Sequence, residues 1–364
     1  MNVIVDDRET ADAERAPYLP ASGRDGVRTG RGRFLPHRSI ALVMATCGVA
    51  LAGAASDSTL RYGLVIGAIY AIALLGSNAI TGLIGEINLS TGAFMAIGAY
   101  AVVYLLERGL SIELALVAGV LLTTATGLVL AIPTVRLEGI FTALVTFALA
   151  FAIPDLIIQF SDVTGGQGGK PVVMGGTLLG VPVSGSDTPW LVLILSVYAV
   201  LGVLSLLLLH GRVGRVLLSV GESGAAAECF GLHTRWWKIG VWTFAAAHAG
   251  LAGGLFALTI GFLTPEVFPV FLSVTLLIGT VVGGSRSPVG ALAGGLFVGT
   301  LPPQIQTFIP AESTGMFFGA ALFVMLLAGG RGFGSLAEVL VLKVGGVRER
   351  VGRHGRTDVK AGRA

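Results

Sequence analysis

Long apolar stretches broken by short polar ones dominate the chain. A helix needs about 20 apolar residues to cross a bilayer core, and stretches near that length run over 39–55, 62–85, 91–107, 112–132, 139–160, 189–209, 239–262, 267–283, 289–308 and 314–330. They lack the short, strictly alternating pattern of barrel strands, so they predict an all-α polytopic membrane protein of about ten transmembrane helices.

The polar interruptions carry the next layer of information. Between the second and third runs, Glu86, Asn88, Ser90 and Thr91 lie among Gly82, Gly85 and Gly92. That composition predicts a broken or re-entrant segment lining a path, because irregular backbone survives at membrane depth only against protein or water. Another Gly-rich, hydroxyl-bearing segment covers 283–299, which predicts two pseudo-repeated halves. Gly250, Gly253 and Gly254, with Gly290, Gly294 and Gly295, predict close helix packing.

Within the runs, Asp155 and His248 are the ionisable groups that stand out, and such groups are costly in lipid. Asp155 follows Pro154, where a helix loses a backbone hydrogen bond; it marks either a water-lined kink or a solvated helix end. His248, on an Ala/Gly-rich run, predicts a neutral ring bonded to a neighbouring helix. Thr146 and Thr275 add hydroxyls to the candidate path.

Composition agrees with this pattern. Of 364 residues 54% are apolar and 12% charged, and the mean hydropathy is +0.84, which excludes a water-soluble globular domain. Lys and Arg stay on the cytoplasmic side of membrane proteins. Ten spans with the N-terminus inside place 21 of the 24 basic residues there and leave Arg61, Arg108 and Lys170 outside, so both termini are expected in the cytoplasm.

Three regions result: a basic, disordered cytoplasmic tail over 1–38, a membrane domain over 39–330, and a basic cytoplasmic tail over 331–364. Basic residues up to Arg38, the apolar stretch from Ile40 and Ala52-Gly53-Ala54 resemble the parts of a signal peptide. The leading tail is long for that role, so the first run is read as a retained span.

Enzyme chemistry finds no support. "TGGQGGKP" (164–171) fails the phosphate-loop pattern at Thr164 and Pro171. The five His (37, 210, 233, 248, 354) are scattered, and Cys47 and Cys229 lie far apart, so neither a metal site nor a disulfide framework is expected.

The loop over 210–238 is the most polar part of the membrane domain. "RVGRVLLSVGE" sets basic residues at the inner face, and Ala225 to Glu228 favour a short helix that Gly231 can end in the left-handed conformation. Trp236 and Trp237 mark the membrane interface. A short exposed helix with small residues and Phe230 suits a partner's groove, or else lies on lipid as an amphipathic connector.

Here the residues resemble a known family. "RVGRVLLSVGESGAAAECFG" (212–231), with Arg212, Gly214, Arg215, Glu222, Ala226, Ala227, Glu228 and Gly231, is similar to the ATPase-coupling loop of ABC-importer permeases, and more narrowly to the LivM-type permeases of branched-chain amino acid importers. "GLIGEINLSTGAFMAIGAY" (82–100), "RLEGIFTALVTFALA" (136–150) with "TGGQGG" (164–169), and "TPEVFPVFLSVTLLIGTVVGGSRSPVG" (264–290) resemble other stretches of that family in the same order.

The resemblance implies a permease subunit in a bacterial inner membrane, with two cytoplasmic ATPase subunits, a second, related permease, and an extracytoplasmic binding protein. The Gly-rich outer loop 161–188 is a candidate landing surface for that protein, since a loop of such length usually has a function or is disordered. ATP and Mg would sit on the partner ATPases and no cofactor on this chain. It implies inward transport of branched-chain or other hydrophobic amino acids.

Departures fall on the candidate path: Glu86 stands in place of Gln, Asn88, Ser90 and Thr91 in place of Ser, Gly and His, Thr275 in place of Glu, and Arg286 in place of Gly. They keep open a different cargo, such as urea, another amide or a sugar. An ion-coupled secondary carrier is a further alternative, opposed by the scarcity of carboxylates in the spans. Neither catalysis, metal binding nor nucleic-acid binding is expected.

Overall fold

The computed structural model describes residues 34–305 apart from 138, 173 and 174. Most of both tails and the run at 314–330 lie outside the described residues. The first nine apolar runs all contain helix: α1 (Phe34–Ala54), α2 (Ser58–Ala79), α3 (Thr91–Glu107), α4 (Ile112–Thr134), α5 (Ile140–Gln159), α7 (Thr188–His210), α10 (Thr234–Ile260), α11 (Val270–Gly283) and α12 (Pro288–Ile305). Between them lie the one-turn α6 (Ser161–Thr164) and the polar helices α8 (Arg212–Glu222) and α9 (Gly224–Cys229).

Among the described residues, six segments are long and apolar enough to cross a membrane: Ser58–Ile84, α4, α5, Thr188–Leu208, α10 and Pro265–Gly283. The apolar parts of α1, α3 and α12 are shorter. α1 starts at Phe34, ahead of the expected 39, because Pro36, His37 and Arg38 dilute the hydropathy of a turn that is nonetheless helical.

α2 is the central post, buried on almost every side from Val65 to Ala79. α12 runs antiparallel along one flank of it and α10 along another, while α10 also packs on α3 and α4. Small residues make these contacts possible. A Cβ on Gly98 would overlap the Gly250 backbone, one on Gly253 the Met95 carbonyl, one on Gly283 the Gly290 carbonyl, and one on Gly299 the Gly67 backbone. At these four positions the close packing is backbone against backbone, whereas Gly250 and Gly254 also make room for the side chains of Thr123 and of Leu116 and Val102.

α7 packs Trp190, Leu191, Ile194 and Tyr198 into this core and is also held by two polar ties. Trp190 Nε1 donates to Thr259 Oγ1 at 3.1 Å, and the Tyr198 hydroxyl donates to the Pro288 carbonyl. α1 leans on α7, with Leu42 against Gly202 and Leu191 against Gly53.

Short strands close the end of the bundle opposite α8 and α9. β1 (Lys170–Pro171) pairs antiparallel with β4 (Phe262–Leu263), and β2 (Thr177–Leu178) with β3 (Val181–Pro182). Lys170 is part of this cap: its Nζ lies 2.5 Å from Glu107 Oε2, donates to the Val163 carbonyl at 2.7 Å and sits over the Tyr104 ring. The "TGGQGGKP" stretch thus serves as a turn that ties the 161–187 loop to the α10–α11 connection.

Candidate functional site

α2 does not end cleanly. Its last turn widens into a π-turn over Ile80–Ile84, which closes when the Gly85 N–H donates to the Ile80 carbonyl at 3.0 Å. Gly85 has φ +78, a left-handed conformation that glycine adopts without a Cβ penalty. Residues 85–90 then run without regular structure to the start of α3. π-turns and broken helices of this kind cost backbone hydrogen bonds and recur at functional sites.

A polar turn opens α3. Asn88 Oδ1 accepts from the Ser90 N–H at 2.9 Å and the Ser90 hydroxyl at 2.7 Å, while Asn88 Nδ2 donates to Thr91 Oγ1 at 3.3 Å. The Leu89 N–H donates to Thr146 Oγ1 on α5 at 3.2 Å, and the Gly92 N–H donates to Ser273 Oγ on α11 at 3.1 Å. The N-terminal turns of α3 and α11 therefore meet inside the bundle. α11 is itself preceded by a break, a 3₁₀ turn over Pro265–Val267 followed by Pro269.

Five of the seven candidate path residues take part in this region: Glu86, Asn88, Ser90, Thr91 and Thr146. Thr275 is buried on α11 near Ser273, and its hydroxyl bonds back to the Phe271 carbonyl at 2.9 Å. Asp155 stands apart, exposed on α5, whose helix continues through Pro154 to Gln159.

Glu86 differs from the expectation of a path-lining carboxylate. It is only 7% exposed, and its two oxygens are taken by α10: Lys238 Nζ at 2.7 Å from Oε1 and Trp242 Nε1 at 3.2 Å from Oε2. His248 also differs, bonding through Nδ1 to the Phe244 carbonyl of its own helix at 2.9 Å in place of a neighbouring one. Ser273, Trp242 and the partnership of Lys238 escaped sequence reasoning. The hydroxyl of Ser273, two residues before Thr275 in a mostly apolar run, was the available signal.

The α8–α9 pair packs beneath this region. α8 turns Gly214, Leu217 and Val220 inward and leaves Arg212, Arg215 and Glu222 exposed. Gly221 lies so close to Leu83 and Ile84 of the π-turn that a Cβ there would overlap the Leu83 carbonyl. Arg286, from the α11–α12 connection, donates through Nε to the Gly82 carbonyl at 3.0 Å on the same turn.

Ser223 caps α9 by accepting the Ala226 N–H at 3.3 Å. Gly231, at φ +79, ends the helix as expected, with the Leu232 N–H returning to the Ala227 carbonyl at 3.1 Å. Ala227 is buried while Ala226 is exposed. Glu228 accepts from Thr234 Oγ1 at 2.6 Å, linking α9 to the first turn of α10, and Phe230 projects 86% exposed.

Membrane-length helices, with chain breaks where α3 and α11 start and meet on hydroxyls and an amide, together with a polar helix pair seated on one of the breaks, have the build of a membrane permease. Residues 59–327 match the family described as branched-chain amino acid transport system / permease component. The chain belongs to that family, a transport component and not an enzyme.

Among curated relatives it is similar to the high-affinity branched-chain amino acid transport system permease protein LivM of Escherichia coli K12, 30% identical over 282 residues that cover 71% of this chain and 66% of the relative. The LivM of Salmonella typhimurium is 33% identical over 242 residues, covering 60% and 57%. The chain thus spans less than two thirds of the length of these LivM relatives. The permease protein LivH of the same Salmonella is 24% identical over 282 residues, 73% of this chain and 91% of LivH. No solved structure matches.

Proposed function

We propose that this chain is the membrane-spanning permease subunit of an ABC importer, moving branched-chain or other hydrophobic amino acids inward by alternating access. It works with a second, related permease, two cytoplasmic ATPase subunits that hold ATP and Mg, and an extracytoplasmic binding protein. About ten spans cross a bacterial inner membrane, with both termini and the α8–α9 end in the cytoplasm.

The observation that carries this reading is the seating of α8 and α9. They form a short polar helix pair with an exposed aromatic tip, in steric contact with the interrupted end of α2. A cleft that closes on α9 when nucleotide binds has a direct mechanical route to residues 82–90. The candidate cargo residues are Asn88, Ser90, Thr91, Thr146 and Thr275, around the meeting N-termini of α3 and α11, whose dipoles favour a carboxylate.

Packing supports two inverted halves. α2 runs against α12, and α10 against α4; the break after α2 and the break after α10 lie at opposite ends of the bundle. Such an exchange between repeats is the usual frame of alternating access.

The test is affinity purification of the tagged chain in mild detergent, with mass spectrometry of bound proteins, for wild type and for a Glu228→Ala/Gly231→Val double variant. An ATPase that co-purifies with wild type and is lost from the variant is the expected result. Wild type without an ATPase, and uptake that follows an ion gradient through ATP depletion, would establish a secondary carrier instead.

A further inference from the structure

Glu86 is joined to the α8–α9 pair by two independent routes. On one side, Gly221 of α8 presses on Leu83 and Ile84 with no room for a Cβ, directly before Gly85 and Glu86. On the other, Glu228 of α9 holds Thr234 at the start of α10, and one turn further along Lys238 and, a turn beyond it, Trp242 grip both oxygens of the Glu86 carboxylate. Beyond Glu86 the chain enters the Asn88–Thr91 turn that opens α3 and touches Thr146 and Ser273.

The chemistry of the grip makes it a two-position device. The side chains of Lys238 and Glu86 are 14% and 8% exposed. In such surroundings a charge separated from its partner is left uncompensated, so intermediate separations are disfavoured. The pair is either made or replaced as a whole by another environment, which is the discrete behaviour that coupling over a distance requires.

We propose that Glu86 is a positioning residue of transport: held by Lys238 and Trp242, it is the point at which movement of α8 and α9 is passed to the interrupted segment 85–90. The inference rests on the permease reading and adds to it the specific joint. Neither residue touches cargo in this role.

Ile87, 47% exposed beside the joint, provides a reporter that does not depend on the identity of the cargo. In a Cys47→Ser/Cys229→Ser background, Ile87→Cys is labelled with a water-soluble maleimide in the full chain assembled with its co-purifying ATPase subunits. Rates are compared without nucleotide and with ATP plus vanadate.

In the otherwise unaltered protein, nucleotide is expected to change the labelling rate by about tenfold, the scale of a coupling of one to two kcal/mol. Glu86→Gln and Lys238→Met are each expected to abolish that response while the assembly still hydrolyses ATP, and the exchange Glu86→Lys/Lys238→Glu to restore much of it. A merely structural role would lower labelling response and hydrolysis together and gain nothing from the exchange.

A response that survives both single variants, or none in the parent, overturns the inference. Failure of any ATPase to assemble overturns the permease reading instead and takes this joint with it.

Discussion

Phe230 shows how a single side chain can separate folding from function. Its ring is 86% exposed at the end of α9, so Phe230→Ala should leave the melting temperature of the purified chain unchanged. Burying a phenylalanine against a partner is worth about 1.5–3 kcal/mol, so the same variant should weaken capture of the proposed ATPase subunits by at least about tenfold, read by titration in detergent. Equal capture would remove Phe230 from the interface. At this scale the sequence was only half readable. Gly231 could be assigned its left-handed turn from residue type and position, whereas Glu86 could not be assigned its partners. Lys238 lies 152 residues away, and no local periodicity joins them; its basic charge had been fully accounted for by the positive-inside pattern.

Helices were legible because hydropathy reports membrane residence directly; their ends and breaks were not, because it is blind to the backbone. α10 begins at Thr234, ahead of the expected 239, since Arg235 and Lys238 lower the hydropathy of a turn that is nonetheless helical. The break before α11 is hidden in the apolar series Val267, Phe268, Val270, Phe271, with only Pro265 and Pro269 to betray it. By contrast, Gly85 among polar neighbours exposed the break after α2.

Glycine clusters announced close packing but not which helices meet. Contact of Gly98 with Gly250 now gives that expectation a test. Gly98→Val forces two backbones apart and should destabilise the chain by about 3 kcal/mol or more, at the upper end of overpacking costs. Gly240→Ala, where a Cβ meets nothing within 4 Å, should be silent. Thermal unfolding in detergent distinguishes the two, and equal melting temperatures would mean that the α3–α10 seam can open at little cost.

For the whole molecule, orientation is the property that the distribution of charge carries and the helices alone do not. Two exposed points lie at opposite ends of the bundle: Leu179 in the β2–β3 turn and Cys229 at the end of α9. In intact cells a membrane-impermeant maleimide should label Leu179→Cys in a Cys47→Ser/Cys229→Ser background, whereas in a Cys47→Ser protein Cys229 should stay untouched until vesicles are inverted. The opposite pattern would reverse the topology and place α8 and α9 beyond the reach of any cytoplasmic ATPase.

The outer faces of α4 and α5 carry Leu121, Val129, Phe141 and Phe151 in the open, an apolar surface suited to lipid or to a second permease. Here the chain offers wide latitude: any apolar side chain of moderate size fills such a position, because the medium around it is fluid and takes the shape it is given. At Gly98, Gly253, Gly283 and Gly299 there is no such latitude, since the neighbour is another backbone. Anyone redesigning this permease for stability or solubility therefore works with two alphabets, a broad one written on the perimeter and, along the inner seams, one that shrinks almost to a single letter.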